Sequence, residues 1–478
     1  MPLLSISEDQ ILDRLRFENP WWSSGKIEDF YQDLPKRLYF DLFKPLLAES
    51  SVRRAIVLMG PRRVGKTVLM IQSIKALLDD GVDPLKILFV SVETPIYNGI
   101  GLEQLFNLAR KATGNQDTKK WYVFFDEIQY LKNWEVHLKS LVDSYAYTKF
   151  VVSGSAAAAL KLKSNESGAG RFTDFMLPPL TFNEYLHLKD LNRLIVNRTI
   201  EWEGSLLKFF TTNNARELNE HFLNYINFGG YPEVIFSETI QNNPGRYIRN
   251  DIVDKVLLRD LPSLYGIRDV QELNSLFTAI AYNSGGEVSL EELSKSSGVQ
   301  KNTIKRYIEY LEAAFLIKIV HKIANKPKNF QRATYFKIYL TNPSLRSALF
   351  SPLQSIDDLM GQMVETAIFA QWMHRDWFTP YYARWAKGEV DMVSLDAKKQ
   401  KPLWAVEVKW TNRFFEKPNE LKPLLQFMED NNLNSAMVTT IDKEGSKIVD
   451  GLKLNFVPAA VYAYTVGANT LLHKSSRQ

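Results

Sequence analysis

The octapeptide Gly60-Pro61-Arg62-Arg63-Val64-Gly65-Lys66-Thr67 constrains this chain more than any other feature. It has the spacing G-x-x-x-x-G-K-T, follows an apolar run (Ala55–Met59) and opens a helical stretch (Thr67–Asp79). Its glycines let successive backbone N–H groups curl around phosphate oxygens. The helix that follows turns its positive N-terminal end toward them. Lys66 is then placed to reach the β- and γ-phosphates, and the Thr67 hydroxyl becomes a Mg²⁺ ligand. Residues Gly60 through Thr67 are the expected binding loop for ATP, with Mg²⁺ beside it.

Further apolar runs alternate with helical patterns around this loop. Strands are expected at Ala55–Met59, Ile87–Val92, Trp121–Phe125 and Phe150–Ser153, and helices at Thr67–Asp79 and Trp134–Tyr145. Such alternation predicts a parallel sheet covered by helices. The run Trp121–Phe125 delivers Asp126 and Glu127 at its end. Beside a phosphate loop, Asp126 would orient Mg²⁺ and Glu127 would polarise the attacking water as general base. Ser153 or Ser155, after the last strand, could sense the γ-phosphate or simply make a turn. Arg171 and Arg259 are candidates for a sensor or arginine finger. For either one alone, a surface salt bridge is the simpler reading.

The bulk numbers exclude several alternatives. With 478 residues, about three domains are expected. The chain has no cysteine, which rules out disulfides, Cys-ligated zinc and thiol catalysis and suits the cytoplasm. Its six histidines show no H-E-x-x-H spacing. No run approaches a membrane span, and the first residues lack the pattern of a secretory signal. Ala156–Ser167 is polar and of low complexity, and is expected to be a loop. Residues 180–265 are expected to be mostly helical.

Charge is unevenly spread. From Lys295 to Lys337 the Lys and Arg residues exceed the acids, Glu309 and Glu312, by eight, whereas the whole chain carries only +5. The same region predicts a short helix (Glu287–Ser294) capped by Ser289, a turn at Gly298, a second helix (Gln300–Ala313) and a strand (Phe315–His321). This is the outline of a helix-turn-helix with a wing. Lys301, Asn302, Lys305 and Arg306 would face outward and contact DNA phosphates or bases. A packing domain that touches no DNA is the competing reading.

Further on, a helix (Gly361–His374) precedes short strands at Tyr381–Ala383, Glu389–Ser394, Leu403–Lys409 and Ala436–Thr440. Glu407 and Lys409 share one strand face, and a hairpin could bring Asp391 beside them. Glu365 could lean over the same sheet edge from its helix. This arrangement resembles the PD-(D/E)xK nuclease fold, although Val390 stands where the family name has proline. The resemblance implies that Asp391 and Glu407 bind Mg²⁺, with Glu365 as accessory ligand and Gln426 as a weaker candidate. Lys409 would then act as base or positioning group. Without it, the pattern reads as two hairpins with solvated charges.

The whole set of motifs has a second resemblance. Asn19-Pro20-Trp21-Trp22, the Gly60–Thr67 loop, Phe125-Asp126-Glu127-Ile128-Gln129, Ser153-Gly154-Ser155, Leu177–Phe182 and Gly229-Gly230-Tyr231-Pro232-Glu233 resemble a prokaryotic family of AAA-like ATPases. Their C-terminal domain has long been labelled as of unknown function. The resemblance implies an α/β multidomain chain: an N-terminal helical segment (1–50), an AAA-like ATPase core (51–180), a helical lid (181–265), a winged helix (266–345) and a nuclease-like α/β domain (346–478). Because such ATPase sites often sit between subunits, a homo-oligomer is a further expectation. Three functional readings follow. The first is an ATPase that handles and cuts DNA. The second is a non-nucleolytic ATP switch binding DNA or protein. The third is a DNA-binding regulator with both centres vestigial.

Overall fold

The computed structural model describes residues 6–49, 51–155, 170–202, 205–324, 334–375 and 377–477. The expected loop at Ala156–Ser167 lies outside them. The chain divides into two units, Met1–Pro178 and Pro179–Arg477.

The first unit is built on five strands: β1 (Ala55–Met59), β2 (Ile87–Ser91), β3 (Tyr122–Asp126), β4 (Lys149–Gly154) and β5 (Phe172–Met176). They pair in the order β2-β3-β4-β1-β5, and every pairing is parallel. All five residues of β1 are buried, which is why its sequence is a continuous apolar run rather than an alternating one. Helices Lys66–Asp79, Leu102–Thr113 and Trp134–Ser144 connect the strands. Because the sheet is parallel, the residues that follow β1, β3 and β4 emerge on one edge. Ligands of open α/β sheets bind at that carboxyl edge.

β2 is an outer strand, and its open side is covered by the residues of the Asn19-Pro20-Trp21-Trp22 motif. Asn19 clamps Phe89: its amide donates to the Phe89 carbonyl at 2.8 Å and accepts from the Phe89 N–H at 2.6 Å. The indoles of Trp21 and Trp22 both donate to the Ile87 carbonyl, at 3.0 and 2.8 Å. Glu18 accepts from the Ser91 N–H at 3.3 Å. Ile87, Phe89 and Ser91 are alternate residues, so their outward backbone groups find side-chain partners where another strand could otherwise add.

The second unit contains a hairpin, β6 (Ile195–Trp202) with β7 (Ser205–Thr212), and a larger sheet. Its strands are β8 (Glu287–Ser289), β9 (Ile317–Ile323), β10 (Tyr335–Leu340), β11 (Tyr381–Trp385), β12 (Gly388–Leu395), β13 (Pro402–Glu407), β14 (Ser435–Thr440), β15 (Gly445–Val449) and β16 (Leu452–Pro458). The order is β15-β16-β14-β13-β12-β11-β9-β10-β8. Strand pairing therefore runs unbroken across residue 346, where a domain boundary was expected: β9 pairs with β11 in parallel. Residues 180–265 are otherwise mostly helical, as expected, and among the described residues the hairpin is the one unexpected element in that stretch. Helices Met360–Trp372 and Ala459–Arg477 pack together on one core.

Two quoted motifs are packing devices in this unit. A Cβ on Gly230 would lie 2.6 Å from Asn342 Oδ1 and 2.8 Å from Ser344 Oγ, so only glycine fits. Tyr225 donates from its hydroxyl to the Leu180 carbonyl at 2.8 Å, and Gln371 donates to that hydroxyl at 2.8 Å. Among the described residues no helix is long and apolar enough to cross a membrane.

Candidate nucleotide site and carboxylate cluster

The phosphate loop is held from two sides. Gly65 has φ 94°, and Arg63 has φ 64°, both in the region that glycine tolerates best. A Cβ on Gly60 would fall 2.1 Å from the Leu177 carbonyl oxygen, so the loop can lie against that backbone only with glycine there. Buried Arg37 donates to the Val64 carbonyl at 3.0 Å and the Pro178 carbonyl at 2.8 Å. No spacing in the sequence marks Arg37, and it was missed. Lys66 is 5% exposed and donates to the Gly60 and Pro61 carbonyls at 3.1 and 2.8 Å. Its ammonium thus lies within the loop that would cradle phosphates.

Asp126 meets the loop directly. Thr67 donates from its hydroxyl to Asp126 Oδ2 at 2.7 Å, and the Ser153 hydroxyl bonds to Asp126 Oδ1. Burial, then the neighbouring Glu127 charge, pushes the Asp126 carboxyl up to about 6. Glu127 follows with φ 53°, its N–H donates to Ser153 Oγ at 3.2 Å, and its carboxylate accepts from Gln129. Gln129 in turn accepts from the Ser155 N–H at 3.2 Å. Ser153 therefore orients both acids, whereas the buried Ser155 hydroxyl has no hydrogen-bond partner among the described residues. Thr67, Asp126 and Glu127 line a cavity of about 280 Å³ together with Arg14, Tyr31 and Glu93.

Among the described residues no group of three or more acids or histidines is spaced to hold a metal ion unaided. Mg²⁺ commonly takes one or two carboxylates and completes its shell with phosphate and water. The oxygen pair of Thr67 and Asp126 beside an open cavity fits that habit.

The arginine candidates fare differently. Arg171 precedes β5, and its carbonyl accepts from the Ala55 N–H at the start of β1. That is the amino edge of the sheet, opposite the phosphate loop. Its guanidinium pairs instead with Asp143 on the surface, so Arg171 is no sensor within its own chain. Arg259 lies exposed on a π-helical turn, Val256–Asp260, of the second unit.

In the larger sheet, β12 and β13 pair antiparallel with Met392 opposite Val406, which brings Asp391 beside Glu407. Asp391 accepts from the Val408 N–H at 2.8 Å. Lys409 lies 2.7 Å from Glu407 and 3.4 Å from Asp391. Burial and the Asp391 charge push the Glu407 carboxyl up to about 7, although Lys409 opposes them. Its second oxygen, Oε2, is buried without a hydrogen-bond partner among the described residues. Glu365, the expected accessory ligand, is engaged by β10. Lys337 and Tyr339 take its Oε1, at 3.0 and 2.5 Å. Gln426 is exposed on the helix Lys422–Asn431. Lys337 and Tyr339 come from β10, far off in sequence, and were missed.

The basic stretch is partly spent on internal pairs. Lys301 faces Glu291 at 3.4 Å, Lys318 faces Glu312 at 2.7 Å, and Lys322 faces Glu287 at 3.2 Å. Lys326, Lys328 and Arg332 lie outside the described residues. Asn302, Lys305 and Arg306 are exposed along one side of the helix Lys301–Ala313, which follows Leu290–Ser297 and the turn at Gly298. Ser289 forms the expected capping box with Glu292.

Residues 52–186 match the model of an AAA domain, and residues 219–356 match a domain of unknown function. An uncharacterized protein of Methanocaldococcus jannaschii is 26% identical over 404 residues, spanning 82% of this chain and 83% of its own. Another, from Haemophilus influenzae, is 25% identical over 61% of this chain and 68% of its own. Among solved structures, the Aeropyrum pernix ORC1 protein in complex with DNA aligns at 11% identity and TM-score 0.32, over 69% of this chain and 95% of that one. The replication initiator DnaA bound to AMPPCP and single-stranded DNA aligns at 14% and 0.29, over 60% and 92%. Over residues 52–186, which hold the five-stranded parallel sheet and the phosphate loop, the chain is thus similar to an AAA domain.

Proposed function

We propose that this protein binds and hydrolyses ATP at Gly60–Thr67 and couples that cycle to DNA. The observation that carries the first half is the 2.7 Å contact of Thr67 with Asp126, with Glu127 lining the same cavity. The loop amides and Lys66 would hold the β- and γ-phosphates. Thr67 and Asp126 would hold Mg²⁺, whose charge offsets that of the phosphates. Glu127 is next in line to take the proton of the attacking water. Ser153 keeps Asp126 and Glu127 in place, and the Ser155 hydroxyl is placed to meet an incoming acceptor.

The second half rests on the exposed Asn302, Lys305 and Arg306 of the second helix in a helix-turn-helix outline, with Lys301 beside them. Reversing two of these charges tests it. The variant Lys305→Glu/Arg306→Glu is expected to lose DNA retention. The slope of log affinity against log salt should shrink by about 2, since each phosphate contact contributes about 0.9. Wild-type affinity and slope in that variant would remove DNA from the proposal.

A second reading, cleavage of DNA, is favoured by one observation: the unpartnered buried oxygen of Glu407, beside Asp391 and Lys409. Asp391 and Glu407 would hold Mg²⁺, which would activate water for attack on phosphate. Lys409 would steady the developing charge. Wild type should then cut one of a panel of duplex, branched and single-stranded DNAs when Mg²⁺ or Mn²⁺ is present, and Lys409→Ala should not. Intact ATP turnover with no cleavage of any substrate would leave the non-nucleolytic switch.

A further inference from the structure

The C-terminal carboxylates fall into two pairs, and the pairs are neutralised differently. Lys337 stands between Glu365, 3.0 Å away, and Glu389, 2.6 Å away, and its side chain is only 4% exposed. Tyr339, two residues along the same strand face, donates to the same Glu365 oxygen at 2.5 Å. Arg384, half exposed, adds a contact to Glu389 at 3.3 Å. The second pair, Asp391 and Glu407, has Lys409 as its cation.

The two lysines differ in how firmly they are placed. Lys337 lies within β10, paired with β9 on one side and β8 on the other. Burial disfavours its charge, but Glu365, Tyr339, Asp391 and Glu389 outweigh this and keep it protonated. Lys409 lies beyond the end of β13, with 28% of its side chain exposed. Its carboxylate neighbour Glu407 retains the unpartnered Oε2. Two buried carboxylates cannot both stay ionised without a cation close by. At buried Glu365 and part-exposed Glu389 the buried ammonium of Lys337, on β10, already fills that need. At Asp391 and Glu407 the part-exposed ammonium of Lys409 reaches one Glu407 oxygen at 2.7 Å and leaves the other, Oε2, without a partner among the described residues.

We propose that Lys337 is a permanent counter-ion that closes the Glu365–Glu389 side of the cluster to divalent cations and confines them to Asp391 and Glu407. Lys337 is thus a positioning residue, holding Glu365 away from any metal. The proposal rests on the reading that Asp391 and Glu407 take a divalent cation. It ties the cluster to the hairpin that follows the helix-turn-helix, since the closing charge comes from β10, the antiparallel partner of β9.

The test counts Mn²⁺ bound per nucleotide-free full-length chain, by the electron paramagnetic resonance of free Mn²⁺. An Asp126→Asn background removes the carboxylate proposed to hold Mg²⁺ at the nucleotide site. Lys337→Met should bind one Mn²⁺ more than its parent, and Lys337→Arg should match the parent. Should methionine prevent folding, Lys337→Gln keeps a donor toward Glu365 without the charge and carries the same expectation. Equal Mn²⁺ binding by the parent and the folded uncharged variant overturns the proposal. A parent that binds none, with a gained ion lost again on adding Glu365→Gln, would sink the metal reading of Asp391 and Glu407 while leaving the role of Lys337 standing.

Discussion

Glu127→Gln is expected to lower ATP turnover by about 10²–10⁴-fold, the range a general base contributes, while ATP still binds. The carboxylate of Glu127 lines the cavity with Thr67 and Asp126, yet the phosphate loop, Lys66 and Thr67 make the contacts expected to hold ATP. Glutamine has the same shape and removes only the proton acceptor. The backbone of Glu127, at φ 53°, sits in a region that non-glycine residues seldom occupy, and the variant leaves it unchanged. Loss of this charge also relieves Asp126, whose carboxyl is pushed up by burial and then by Glu127. The variant should therefore keep or raise the melting temperature at neutral pH. Steady-state phosphate release and nucleotide titration separate the effects. Turnover within the wild-type range would show that water is activated by another group.

Asp126→Asn is expected to abolish Mg²⁺-dependent hydrolysis and, without nucleotide, to stabilise the protein. The sign follows from the direction of the shift. The folded-state pKa of Asp126 lies at about 6, above the ordinary 3.8. A carboxyl displaced upward favours the folded state fully only below its unfolded pKa. That contribution is lost as pH rises from about 4 to about 6. Above pH 6 the ionised wild type carries the whole penalty, on the order of 3 kcal/mol for a displacement of this size. Asparagine never ionises, and the Thr67 and Ser153 hydroxyls can rotate to suit an amide. Denaturation should find the variant more stable than wild type at pH 8 and no more stable at pH 4. MgATP should reverse the order, because only wild type gains from binding it. A variant less stable than wild type at pH 8 without nucleotide would contradict this account of the buried charge.

Local chemistry explains what was legible in the sequence. Each expected strand of the first sheet lies within two residues of its place, because a strand buried on both faces must be an unbroken apolar run and the residues after it must turn. The Ser289 cap and the Gly298 turn were readable for the same reason, since a cap or a left-handed turn depends on neighbours a few residues away. The β6–β7 hairpin was not legible. Its strands mix charged and apolar residues, as in Ile195-Val196-Asn197-Arg198, and pairing with each other is what sets them.

Within the candidate sites the division is similar. Lys66, Thr67, Asp126 and Glu127 could be named because phosphate binding demands those residue types at the ends of strands. Asp391, Glu407 and Lys409 could be named from the two-residue period of a strand and a resemblance. Partners from distant segments could not. Arg37 braces the phosphate loop, Asn19 closes the sheet edge, and Lys337 occupies Glu365. Arg37 and Lys337 are common residues with no spacing to betray them, and Asn19, although part of a quoted motif, carries no sign in the sequence of the strand it clamps. Arg171 shows the converse, a residue whose type suited a catalytic role but whose position at the amino edge of β5 keeps it from the phosphate loop of its own chain. By itself the chain's sequence determined that a phosphate loop follows one buried strand and that two acids follow another. Only the tertiary structure decided which distant charges meet those groups. Side-chain chemistry is local, whereas burial and ion pairing depend on which strands the fold makes neighbours.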